Sequence, residues 1–145
     1  MEPKLSDRLR NIVDLLPIKK GMRVLEIGCG PGAAAREVAN RLGTGRILAI
    51  DRSRSAINKA IKTSKLQVAS KVLTYRTVAI ENFELEPGES LFDIAFAIRV
   101  GALDGRHPEI EQKALVQIAK ALTKRGRLFI DHKQGIKEIP LDRYR

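Results

Sequence analysis

The chain has 145 residues, 43% of them hydrophobic, and a formal net charge of +10. That length fits one domain able to bury its own core without metal or disulfide staples, and the apolar content argues against disorder. No apolar run reaches the length of a membrane span, and Met1-Glu2-Pro3-Lys4 leads into a charged periodic segment with no apolar leader. The single cysteine, Cys29, excludes an internal disulfide and fits a reducing, cytoplasmic setting.

The elements follow in order along the chain. Leu5, Leu9, Ile12, Val13 and Leu16 recur at helical spacing, so residues 4–16 read as an amphipathic helix ended by Pro17. Residues 23–28 read as a strand running into glycines, after which Ala34, Ala35, Val38, Ala39 and Leu42 mark a helix closed by Gly43 and Gly45. Residues 47–51 form a second strand. Ser53 or Ser55 can cap the next helix, whose apolar stripe includes Ile57, Ala60 and Ile61. Residues 72–77 and 92–98 read as the third and fourth strands. Ile110, Ala114, Leu115, Ile118, Ala119 and Leu122 mark a long helix, with Pro108 at its start and Lys124-Arg125-Gly126 at its end. Residues 127–131 make a fifth strand. This alternation predicts a three-layer α/β domain with a mainly parallel sheet, ordered 3-2-1-4-5. Residues 1–20 hold the N-terminal helix, 21–132 the core and 133–145 a tail with room for at most one short strand.

Ligands of such sheets bind beyond the carboxyl ends of the strands. There the first strand runs into Gly28-Cys29-Gly30-Pro31-Gly32, and the second ends at Asp51. Glycines let a ligand approach the backbone, the following helix offers free N–H groups, and a carboxylate at position 51 can accept from both hydroxyls of a ribose. Glu26 places a second carboxylate two residues before the first glycine. A dinucleotide site prefers an apolar residue there, whereas a carboxylate suits a ligand carrying an ammonium. Gly28-x-Gly30-x-x-Ala33 nevertheless satisfies the relaxed dinucleotide fingerprint, so NADH binding without the alternative ligand would favour a nicotinamide module.

The segment 24–32 resembles the first motif of class I S-adenosylmethionine (SAM)-dependent methyltransferases: an acidic residue, a spacer, then G-x-G-x-G. Residues 47–51 resemble the second motif. Phe92-Asp93-Ile94-Ala95-Phe96-Ala97 and Gly126-Arg127-Leu128-Phe129-Ile130 resemble the fourth and fifth strands. The resemblance covers roughly residues 20–132. It implies SAM as cofactor and S-adenosylhomocysteine (SAH) as product. Gly28, Cys29, Gly30 and Gly32 would line the methionine and ribose, Glu26 would orient the loop or the amino group, Asp51 would hold the ribose, and Arg52 would flank adenine. The Asp-Ala pair usual beside adenine is replaced by Ala79-Ile80, followed by Glu81-Asn82; Ile80 can pack on the base. Family members usually add two strands after strand five, so the full antiparallel hairpin is expected to be missing. A folded-back tail or a homodimer would then cover that edge.

No fixed catalytic residue is expected, because the sulfonium already activates the methyl group and positioning supplies most of the rate. Candidates for acid–base work after strands four and five are Arg99, Asp104, His107 and His132, with Asp131 beside the last. Ile98-Arg99-Val100-Gly101 departs from the Asn/Asp-Pro-Pro-aromatic segment of enzymes that methylate amino groups of adenine or glutamine. No Cys/His cluster suggests a metal. The expected acceptor is a small molecule. A nucleic acid is the alternative, because residues 52–80 lack any acidic side chain and carry seven cations; low aromatic content argues against base stacking. A non-catalytic SAM-binding subunit is the third reading.

Overall fold

A computed structural model describes residues 3–145. Met1 and Glu2, where the expectation of no leader begins, lie outside the described residues.

The sheet has six strands: β1 (Arg23–Ile27), β2 (Arg46–Asp51), β3 (Leu73–Thr77), β4 (Phe92–Ala97), β5 (Leu122–His132) and β6 (Gly135–Ile139). Their order is β3-β2-β1-β4-β5-β6. All pairs are parallel except β5–β6. The expected five-strand order is present, and the tail adds one strand to it. A β5–β6 hairpin is therefore present, built from the one short strand the tail was expected to allow. Folding back of the chain's own tail covers β5, so a second copy is not required there. Leu141 (3% exposed) pins the tail into the core, and the Arg145 guanidinium donates to the carbonyl oxygens of Thr123, Lys124 and Gly126.

The helices are α1 (Asp7–Leu15), α2 (Ala33–Ala39), α3 (Arg54–Thr63), α4 (Lys65–Ala69) and α5 (Pro108–Ala121). Side chains alternate across the pleat. Leu25 and Ile27 of β1 pack on the α5 side, and Val24 on the side of α1, α2 and α3. Glu26 therefore shares the face of α2. Ser6 caps α1 by accepting from the Leu9 N–H, and Ser53 caps α3 by accepting from the Ala56 N–H, which decides between the two serines.

Three expectations are corrected. Ile61 is 41% exposed and stands outside the apolar stripe of α3. Leu122 leaves the long helix: its backbone is extended and it pairs with Phe92. Gly126 does not end that helix but lies within β5. The register then jumps to Arg127 opposite Ile94, so residues 123–126 form a bulge. A Cβ on Gly126 would stand 2.7 Å from Leu122 Cβ and 3.0 Å from the Thr123 oxygen, so the bulge needs a glycine there.

Candidate active site

The β1 loop, the end of β2, the segment after β3 and the exit of β4 enclose a cleft of about 520 Å³. Gly28, Asp51, Arg52, Ile80, Glu81, Arg99 and His107 line it, as does Arg106. Glu26, Cys29, Gly30, Gly32, Asp104 and His132 do not line it. The first four lie in or beneath the glycine loop, Asp104 is drawn into a turn, and His132 pairs with Gly135 at the β5–β6 turn. The sequence-derived candidates thus divide into a cleft group, a loop group and two outliers.

Asp51 joins the first two groups. Its Oδ2 accepts from the Gly30 N–H at 2.9 Å and its Oδ1 from the Ser53 N–H at 2.8 Å. One carboxylate therefore fixes both the glycine loop and the start of α3. Each oxygen keeps a second lone pair for a ligand hydroxyl. The Cys29 N–H donates to the Ile50 oxygen at 2.9 Å, extending the β1–β2 ladder into the loop. Burial, and then the Glu26 and Asp51 carboxylates, push the Cys29 thiol pKa up, so it stays a protonated, inert thiol.

Beneath the loop lies a polar floor. Glu26 is 3% exposed, and among the described residues its Oε1 has no hydrogen-bond partner. Burial, and then the Asp51 carboxylate, raise its pKa from 4.5 to about 8, partly offset by the Arg36 guanidinium. Arg36 is itself buried and donates from Nη1 to the Pro31 oxygen (3.0 Å), Thr63 Oγ1 (2.8 Å) and Ser64 Oγ (3.3 Å). Ser64 Oγ and Tyr75 Oη lie 2.8 Å apart, and burial pushes the Tyr75 phenol up to about 12. Arg36, Ser64 and Tyr75 were not among the sequence candidates. A buried arginine within the first helix after the glycines is the one signal that could have pointed to them.

Gly32 closes this floor. It has φ +89°, and a Cβ there would stand 2.3 Å from Tyr75 Oη and 3.1 Å from Ala60 Cβ. Gly32→Ala should destabilise the domain by about 2–4 kcal/mol, combining left-handed strain with overpacking. Adding Tyr75→Phe should restore only part of that loss, because Ala60 and the backbone angle remain. Urea unfolding of the single and double variants measures this, and a neutral Gly32→Ala would contradict the packing described.

Beyond the floor, Gly30 has open space around it: a Cβ there would meet nothing within 4 Å. Ile80 is buried at the cleft wall within a 3-10 turn, Ile80–Asn82, which carries half-buried Glu81 into the cleft. Across from it, Arg99 adopts φ 58° and its N–H donates to Asp131 Oδ1 at 3.0 Å; Asp131 Oδ2 also accepts from Arg8 of α1 at 3.3 Å. Asp104 is occupied by Arg106, accepting from its Nε at 2.7 Å and its N–H at 3.1 Å. Arg106 lies one residue before the candidate His107, and nothing in the local pattern singles it out.

Residues 18–140 match a family model described as a methyltransferase domain. The chain belongs to the methyltransferase-domain family. Solved structures similar to this methyltransferase domain include the cyclase SpnF, at 22% identity and TM-score 0.69 over 84% of the domain and 42% of that chain. Coclaurine N-methyltransferase bound to N-methylheliamine and SAH matches at 22% identity and TM-score 0.67, over 86% and 34% of the two chains. Phosphoethanolamine N-methyltransferase 2 of Haemonchus contortus, in complex with SAM, matches at 25% identity and TM-score 0.65, over 85% and 27%. The domain thus spans less than half the length of each. No curated protein matches its sequence.

The basic stretch of the methyltransferase domain is not one uniform patch. Arg76 is paired with Glu89 at 2.8 Å and lies over the Phe83 ring at 5.6 Å, so it is not a free surface charge. Lys59, Lys62 and Lys65 are exposed on α3 and α4. Among the described residues no helix is long and apolar enough to cross a membrane, and no group of three His, Cys, Asp or Glu side chains could hold a metal.

Proposed function

We propose that this domain binds SAM and transfers its methyl group to a small-molecule acceptor, releasing SAH. The observation that carries the reading is Glu26: a buried carboxylate with an unpartnered oxygen, beneath a glycine loop that Asp51 holds open beside the cleft. A buried group of this kind is costly unless a ligand completes it. An ammonium would do so, and the two free lone pairs of Asp51 suit a ribose diol.

The remaining assignments follow from position. Gly28, Cys29, Gly30 and Gly32 present backbone to the ligand. Ile80 packs on adenine, Glu81 supplies the carboxylate missing from positions 79–80, and Arg52 flanks the base. Arg99 closes the cleft at the methyl end. SAM supplies a sulfonium-activated methyl group when bound. The chain's own task is to align the acceptor and exclude water, for which no dedicated base is needed unless the acceptor must lose a proton. His107 is the one imidazole placed in the cleft for that role. The small-molecule acceptor accords with neighbours whose structures hold N-methylheliamine and phosphomonomethylethanolamine. A polynucleotide acceptor rests on the exposed cations Arg52, Arg54, Lys59, Lys62, Lys65 and Lys71, and steeply salt-dependent RNA binding would favour it. The lone Cys29 thiol supports a cytoplasmic setting.

Titration calorimetry of the chain with SAM and SAH tests the reading. Both should bind at a single site, and SAH should form when an accepted substrate is added. Failure of both to bind would overturn it.

A further inference from the structure

The cleft has two chemically different sides. Both of its acidic side chains lie on one side, Asp51 at the end of β2 and Glu81 after β3. The opposite side, formed by the exit of β4 and the approach to α5, carries Arg99, Arg106 and His107 and no acid. Arg99 is held by its backbone, through the N–H bond to Asp131 and a left-handed φ of 58°. No hydrogen bond or ion pair engages its guanidinium among the described residues. Arg106 is clamped along one edge only: Asp104 takes its Nε, which leaves both Nη groups for a ligand. Nη2 lies against Gly101, where even a Cβ would approach to 2.9 Å, so the absence of a side chain there lets the guanidinium sit in the cleft wall. His107 precedes α5 without a side-chain capping bond.

We propose that the acceptor is an anion, a small molecule whose carboxylate or phosphate is held by Arg99 and Arg106. This rests on the cofactor reading above. Bound SAM brings a sulfonium into a cleft whose far side is already cationic. An amine acceptor would add a further positive charge to these, whereas an anion offsets the charge already there. Even with bulk-water screening, one unit-charge pair at about 4 Å shifts an equilibrium about fivefold, so two arginines separate anions from cations clearly. Planar guanidinium forks also fit carboxylate and phosphate oxygens in pairs.

The test is calorimetry on the full chain saturated with SAH and again without it, using benzoate, phenyl phosphate, benzamide and benzylamine as probes at one low salt concentration. At least one anion should bind, and the amide and amine should not. Benzoate against phenyl phosphate decides between carboxylate and phosphate. Arg99→Gln and Arg106→Gln should each weaken anion binding by about tenfold or more, and Arg125→Gln, on the β5 bulge, should not. All three side chains are exposed, and circular dichroism checks that the variants keep the fold. Binding of benzylamine or benzamide as tight as that of either anion, no anion binding, or unchanged affinity in both cleft variants would overturn the proposal. So would an oligoribonucleotide that binds through Arg99 and Arg106 when neither small anion does. A chain that binds the anions through these arginines but not SAH would overturn the cofactor reading and leave the anion site standing.

Discussion

Replacing Asp51 by alanine should raise the dissociation constant of SAH about a hundredfold or more, because the change removes two kinds of contact at once. The first is internal. The Gly30 and Ser53 N–H groups both donate to this carboxylate, at 2.9 and 2.8 Å, and would lose their acceptor. The glycine loop would then no longer be tied to the end of β2. The second is the pair of bonds proposed to the ribose. Hydrogen bonds to a charged group contribute about 1.5–3 kcal/mol each, and about 1.4 kcal/mol is a factor of ten in affinity. Asp51→Asn keeps one acceptor oxygen and loses the charge, so it should fall between the two. Calorimetry with SAH reads the series. An alanine variant within about threefold of the parent would mean that the ligand does not touch this residue.

The second large effect concerns pH. Glu26 has its pKa raised from 4.5 to about 8 by burial, then by the Asp51 carboxylate, with Arg36 acting in the opposite sense. The unfolded chain releases this proton near 4.5, and the folded chain holds it until about 8. Stability from this group is therefore complete below the lower value, declines between the two and is gone once pH passes the upper one. The decline is at most about 1.4 kcal/mol per pH unit. Glu26→Gln mimics the protonated acid and carries no such dependence. Between about pH 5 and about pH 9 the parent should lose a few kcal/mol relative to the variant. Urea unfolding at several pH values measures this, and parallel stability curves for the two proteins would refute it. SAH binding near neutral pH should also release up to one proton in the parent and none in the variant, because an ammonium partner draws Glu26 into its ionised form. Calorimetry in buffers of different ionisation enthalpy detects that proton.

Most of the architecture was legible because β1, β2 and β4 are short, largely apolar runs separated by helical stripes, and each run carries one local periodicity. The glycine loop and Asp51 were legible for a related reason: their spacing is set within a single strand–helix–strand unit. What stayed hidden depends on distant pairing. The bulge at 123–126 exists because Leu122 finds Phe92 and Arg127 finds Ile94, a register that no local pattern contains. The polar floor draws Arg36 from α2, Thr63 and Ser64 from the α3–α4 junction and Tyr75 from β3. Only the folded sheet brings these residues under Gly32. Arg106 escaped notice because its importance lies in reaching Gly101, whereas Asp104 and His132 drew attention by chemistry alone. The short helix Lys65–Ala69 carries too few apolar positions to announce itself.

The unsatisfied floor sets the domain's ligand-free stability against its ligand affinity. Random mutagenesis scored by heat resistance alone would favour Glu26→Gln, since that change relieves an uncompensated buried acid in every molecule that has no ligand. The same winners would be depleted when the score is survival with the ligand present. Two such libraries, sorted in parallel, would disagree most at the positions where the domain forgoes stability to hold its ligand, and position 26 should head that disagreement.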